Sequence, residues 1–184
     1  MPLKTPICDF GQAAKSFELK STNNEIIKLD DIKGENGTLV MFICNHCPYV
    51  VAVIRDIVED CKNLEKLGIK AVAICSNDSI NYPDDSFNKM IKFRKDHNFN
   101  FSYLIDETQL VAKDYGAVCT PDFFGYNKNL ELQYRGRIRE LKNLKPVKSD
   151  KSDLFKAMKQ ISETSRGPKE QAPSMGCGIK WLDS

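Results

Sequence analysis

TLVMFICNHCPYV, residues Thr38 to Val50, joins two different patterns within thirteen positions. Leu39 to Ile43, with Thr38 ahead of them, are apolar and partly β-branched, which is the signature of a strand buried on both faces. The cluster Cys44-Asn45-His46-Cys47 ends that strand. Pro48 follows, and Val50, Val53, Ile54, Ile57, Val58, Cys61 and Leu64 recur at the spacing of one face of an amphipathic helix. Proline is favoured at the first helical position, where its missing N–H costs nothing, so Cys47 falls at the N-cap, toward free backbone donors that stabilise a thiolate.

Outward from this turn, the helix from Pro48 to about Leu67 stops at Gly68, and Ile69 to Ser76 gives a second buried strand. Two strands joined by such a helix form a right-handed βαβ unit, which makes them parallel neighbours in a sheet covered on both faces. Upstream, Ser16 to Lys20 and Glu25 to Leu29 flank the turn residues Thr22-Asn23-Asn24 and read as a hairpin. Downstream, Pro83 opens a helix to about His97, Phe101 to Leu104 is a short strand, and Glu107 to Tyr115 is a short helix ended by Gly116. Asp122 to Tyr126 and Leu130 to Arg137 form a second hairpin, and Asp150 to Ile161 is a final covering helix with Leu154, Phe155, Ala157, Met158 and Ile161 on one face. Beyond Thr164 the chain is Gly, Pro and charge as far as MGCGIKW, which reads as a mobile tail.

A chain of 184 residues fits one domain that buries roughly 70% of the surface its unfolded form exposes. Twenty-seven basic against twenty-five acidic side chains leave a net charge of +2, so neither nucleic acid nor an anionic membrane is the expected partner. No stretch approaches the roughly 20 apolar residues of a membrane span, and MPLKTPICDF lacks the apolar core of a signal peptide, so the expected location is the cytoplasm. Seven cysteines, an odd number spread through core elements as well as the cluster, argue for thiol chemistry and burial rather than a disulfide framework.

The order strand, helix, strand, helix, antiparallel hairpin, helix resembles thioredoxin, with an added N-terminal hairpin and an extra element near Phe101. The motifs CNHCPYV, SNDSINYPDDSF, LIDETQ, YGAVCTPDFF, YRGRI and GCGIKW resemble the peroxiredoxin-like members of the alkyl hydroperoxide reductase/thiol-specific antioxidant family, over nearly the whole chain. The resemblance implies an α/β, thioredoxin-like fold: a central mixed sheet flanked by helices, with an N-terminal β-hairpin extension. A redoxin domain would span residues 1–164, and residues 165–184 would form a C-terminal tail carrying Cys177. It makes Cys47-Pro48 the reactive cysteine and its proline. It also makes Thr120-Pro121 the facing loop, with a cis peptide that offers Thr120's backbone edge to an extended substrate. The implied activity is thiol oxidoreduction without a bound cofactor, on a protein thiol or disulfide or a peroxide. A thioredoxin-like protein or glutathione would be the candidate electron donor.

Departures from the family pattern shape the expected chemistry. Peroxiredoxins carry Thr or Ser three residues before the reactive cysteine and Pro seven before it; here those are Cys44 and Val40. No arginine stands beside Thr120-Pro121, and Arg135 and Arg137 lie further along. Thioredoxins place a second cysteine one turn later, where this chain has Val50. The available partners for Cys47 are therefore Cys44 upstream and Cys177 in the tail. A helix N-terminus contributes at most ~2 kcal/mol, at ~1.36 kcal/mol per pKa unit. That brings a thiol of ~8.5 near ~7, and His46 can lower it further.

Other residues fit blander roles. Cys61 on the helix's apolar face and Cys75 at a strand end read as packing. Cys119 lies close to the facing loop, Cys8 in an N-terminal loop, and His97 reads as a solvated helix end. Arg135, Arg137 and Arg139 alternate along a strand and read as a solvated face. Two other classes of function stay open. One is a thioredoxin-fold copper or thiol metal chaperone using Cys44, His46 and Cys47, although zinc is not expected because no second Cys or His pair completes four ligands. The other is an interaction module with an unreactive Cys47.

Overall fold

The computed structural model describes residues 1–183. Its elements are β1 (Leu3–Lys4), β2 (Glu18–Ser21), β3 (Ile26–Lys28), β4 (Gly37–Phe42), α1 (Pro48–Glu65), β5 (Ile69–Cys75), α2 (Phe87–Asp96), β6 (Ser102–Ile105) and α3 (Leu110–Tyr115). They continue with β7 (Cys119–Thr120), β8 (Asp122–Tyr126), β9 (Leu132–Tyr134), β10 (Leu141–Lys142), β11 (Lys145–Pro146), α4 (Asp153–Thr164) and β12 (Met175–Gly178). Seven strands form one mixed sheet in the order β3-β2-β6-β5-β4-β8-β9. β4 runs parallel to β5 and antiparallel to β8, so the expected βαβ crossover and the expected thioredoxin-like arrangement are both present.

β4 is buried along its whole length. Its alternation divides the core: Leu39, Met41 and Ile43 pack on one side with residues of α1 and α4, while Val40 and Phe42 pack on the other with Tyr115 and Phe124. α1 buries Val50, Val53, Ile54, Ile57, Val58, Cys61 and Leu64, the face read from its periodicity. Gly68 reverses the chain at φ +77°, where a Cβ would stand 2.6 Å from Asn36 Nδ2. Among the described residues no helix is long and apolar enough to cross a membrane.

Three expectations are revised. The single helix from Pro83 to His97 is a 3-10 turn, Pro83–Asp85, followed by α2. Ser86 lies between them in extended conformation, and its side chain caps α2 by accepting from Lys89 N. The helix read from Glu107 starts at Leu110, because Gln109 is left-handed at φ +63°. The Gly-rich stretch read as mobile is β12, paired antiparallel with β1 on one side and β7 on the other.

Candidate functional site

The turn after β4 is held from outside by residues that follow β5. Asp85, 1% exposed, accepts from Asn45 N and from Asn77 Nδ2, both at 2.8 Å. Its Oδ2 also lies 2.8 Å from His46 Nδ1, a contact that does not form a hydrogen bond. Asn45 Nδ2 donates to the Asp84 carbonyl at 3.0 Å, and Tyr103 donates its hydroxyl to Asn45 Oδ1 at 2.8 Å. These contacts clamp the chain between Cys44 and Cys47.

Pro48 is the first residue of α1 and Cys47 its N-cap, as expected. The Cys47 sulfur, however, makes no capping bond to the free amides. Instead the sulfur lies 3.3 Å from the Thr120 carbonyl oxygen, to which it donates only while protonated. Its pKa is held well below the ordinary thiol range, first because Cys44 donates to the thiolate, against a desolvation cost, and then through the Cys177 thiol, Thr120 and the Cys177 backbone N–H. The same contact pushes the Cys44 thiol up, as do burial and the Asp85 charge, so the pair shares one negative charge and places it on Cys47. His46 faces Asp85 and Tyr82, whose ring stacks parallel to it at 6.4 Å.

The facing loop supplies the other wall. Thr120–Pro121 is a cis peptide, as expected, and Thr120 Oγ1 lies 3.4 Å from Cys44 Sγ. Thr120's backbone edge is not open, because Cys177 of β12 pairs with it. Cys47, Cys44, Cys177, Pro48, Thr120 and Pro121 thus converge, and His46 stands behind the turn. A groove of about 480 Å³ opens beside them, lined by Tyr49, Val53, Pro121, Arg137 and Met175 among others.

Residues outside this convergence divide clearly. Burial pushes the Cys75 thiol up to about 12 and the Cys119 and Cys61 thiols upward too. His97 caps the end of α2, as expected, and is half-buried, with its ring edge-on against Phe93. The arginines are not a solvated face: Arg135 is 8% exposed and Arg137 and Arg139 pair with Asp153 and Asp56. Arg135 does reach the facing loop. It donates to both Asp122 oxygens, at 3.2 and 2.9 Å, and to the Gly116 carbonyl, and it locks the loop rather than touching Cys47. Asp85 was missed in the sequence, although it lies within the quoted SNDSINYPDDSF motif. Among the described residues, Cys44, His46 and Asp85 bring one ligand atom each within 4.8 Å of one another and are the set that could hold a metal ion.

The model of the AhpC/TSA family matches residues 10–141. Peroxiredoxin Bcp of Bacillus subtilis is 24% identical over 168 residues, covering 84% of this chain and 98% of its own. A crystal structure of a conserved protein from Geobacillus kaustophilus superimposes with a TM-score of 0.94 at 35% identity, covering 100% of this chain and 98% of its own. A hypothetical protein of Sinorhizobium meliloti 1021 gives 0.90 at 32% identity, with 98% of each chain covered.

Proposed function

The chain belongs to the AhpC/TSA family, and from that premise we propose that it is a thiol-based oxidoreductase with Cys47 as nucleophile, acting by dithiol–disulfide exchange and by slow peroxide reduction. One arrangement carries the reading: Cys47, at the start of α1, and Cys44 both lie against Thr120 of the cis-proline loop, with Cys177 paired to that same residue, and the Cys44 thiol is the first cause of the low pKa of Cys47. The ionised sulfur attacks a disulfide RSSR and expels RS⁻; a Cys44 or Cys177 thiolate then attacks the Cys47 sulfur and expels the second thiol. With a peroxide ROOH the same sulfur takes the distal oxygen, ROH leaves, and the resulting sulfenic acid closes to a disulfide with loss of water. An external thiol reductant, a thioredoxin-like dithiol protein or two molecules of glutathione, returns the pair to thiols and leaves as its own disulfide. The name of the Bacillus relative supports the peroxide arm. A soluble, cytoplasmic setting suits a site that must be reduced between turnovers.

The absence of a Thr or Ser at position 44 favours disulfide closure over fast peroxide turnover, because a thiol stands where a hydroxyl would hold the oxidant. The Thr120 hydroxyl, 3.4 Å from Cys44 Sγ, is the hydroxyl left to orient it. The test compares wild type with Cys47→Ser and Cys44→Ser for iodoacetamide reactivity against pH and for turnover of hydrogen peroxide and of a low-molecular-weight disulfide. Loss of both activities in Cys47→Ser is expected; activities and a low-pKa thiol that survive that change refute the reading. Peptide mapping after one equivalent of peroxide identifies whether Cys44 or Cys177 has joined Cys47. A second reading, a metal carrier, rests on the Cys44, His46 and Asp85 ligand set. It competes with the hydrogen bonds that already occupy both Asp85 oxygens, and stoichiometric, tight copper(I) uptake by the reduced protein would favour it.

A further inference from the structure

We propose that β12 lies, as an intramolecular strand, on the backbone edge where an extended peptide would dock, so that the closed chain turns over small oxidants and excludes protein disulfides. This rests on Cys47 being the nucleophile and adds the substrate class.

The strand is fitted to that edge rather than resting on it by chance. Cys177 pairs with Thr120 and Gly178 with Cys119, antiparallel, as an added peptide strand would. Gly176 sits so close that a Cβ there would stand 1.8 Å from the Thr120 carbonyl oxygen and 3.1 Å from Pro121 N. No residue but glycine can pass this point with the strand in place.

Clamps hold the strand at both ends. Before it, the Ser174 hydroxyl donates to the Pro121 carbonyl at 2.7 Å, and Ser174 and Thr5 exchange bonds of 2.9 and 3.0 Å. After it, Lys180 N donates to Asn77 Oδ1 at 2.9 Å, and Gln109 binds the Lys180 carbonyl and the Leu182 N–H, both at 2.8 Å. Under this strap Cys47 is 1% exposed and Thr120 3%. A peroxide or a small disulfide needs only side-chain motion to reach the sulfur. A folded protein's disulfide needs the Thr120 edge itself, and so needs β12 to lift.

The strap therefore acts as a specificity determinant: access for a protein substrate is scaled by the fraction of molecules in which β12 is open. Two full-length variants test this. Gly176→Val forces the strand off Thr120, and Ser174→Ala removes one clamp hydroxyl while leaving the rest of the fold as it is. Each is compared with wild type for insulin disulfide reduction with dithiothreitol as reductant. The rate of Cys47 oxidation by hydrogen peroxide in a single turnover is measured in parallel.

The expected result is that insulin reduction rises about tenfold in Gly176→Val and about threefold in Ser174→Ala, the size of change that freeing a mostly closed site gives. The single-turnover peroxide rate should not rise with it, and in Gly176→Val should fall as the Cys177 groups leave Cys47 with the strand, so that the ratio of insulin to peroxide rates increases in both variants. If both variants keep the wild-type ratio of insulin to peroxide rates, β12 does not gate the site and the proposal is overturned while the Cys47 reading stands. If Cys47 reacts with peroxide in none of the three proteins, the Cys47 reading itself fails and takes this one with it.

Discussion

β4 and β5 are parallel neighbours, and cysteines stand at the carboxyl ends of both, Cys44 and Cys47 in the turn after β4 and Cys75 as the last residue of β5, yet Cys47 and Cys75 behave in opposite ways. After β4, Cys47 is drawn down by the Cys44 thiol, by the Cys177 thiol and N–H, and by Thr120, which together outweigh burial. At the end of β5, Cys75 is 2% exposed and is pushed up to about 12 by burial first and then by the Asp85 charge. Place in the fold alone does not make a thiol reactive; the balance of donors and anions facing the sulfur does. The same Asp85 that fixes the Cys44–Cys47 turn helps to silence Cys75.

The largest way to break this contrast is substitution. Cys47→Ser should lower peroxide and small-disulfide turnover by about a hundredfold or more, because no other thiol in the cluster is ionised in its place. Cys75→Ser should leave turnover within about twofold. Steady-state assays decide it, and equal losses in the two variants would erase the distinction between the strand ends.

A second test asks whether the charge of the facing loop belongs to the thiol system. Arg135 and Asp122 form an ion pair with side chains 9% and 0% exposed, so Arg135→Met strands a buried carboxylate and should cost about 3–5 kcal/mol of stability. Denaturant titration measures that cost. The iodoacetamide profile of Cys47 should not move, since Arg135 spends its donors on Asp122 and the Gly116 carbonyl rather than on Cys47.

The pH dependence of stability sharpens the comparison further. Cys47's folded pKa is depressed below the free-thiol value of 9.0, so its contribution is fully present above that value and lost as pH falls through the folded pKa. Cys75's is raised above 9.0, so its contribution is fully present below that value and lost as pH rises through the folded pKa. These two thiols should therefore add stability with pH up to about 9 and remove it beyond, given the free-thiol value of 9.0 in both cases. Cys47→Ala should flatten the lower limb and Cys75→Ala part of the upper one, as read by thermal melts across pH.

Much of this was legible in the chain. Thr38 to Leu64 shows a buried strand, a proline-started helix and an N-cap cysteine in local periodicity alone, and Thr120-Pro121 was placed opposite by resemblance. Two parts were not legible. Asp85 binds the turn from 40 residues away, and nothing in its acidic, turn-like neighbourhood separates a buried anchor from a solvated carboxylate. Gly176-Cys177-Gly178 read as part of a mobile tail because glycine signals flexibility in sequence. In the structure Gly176 serves the opposite end, close approach to the Thr120 carbonyl, a use of glycine visible only once both segments are in place. The expected capping bond from Cys47 failed for a related reason: the sulfur turns toward Thr120 and the other thiols, partners that lie far along the chain or on the opposite side of the turn.

The central claim is that Cys44 is the main group holding Cys47 ionised. The most direct measurement is the pH profile of iodoacetamide alkylation at Cys47, located by peptide mass mapping, in wild type, Cys44→Ser and Cys44→Ala. The prediction is a wild-type midpoint well below 9.0, a rise of about one unit or more in Cys44→Ala, and a smaller rise in Cys44→Ser, which keeps a donor. A wild-type midpoint at or above the free-thiol value, or a Cys44→Ala profile that overlays wild type, would contradict it.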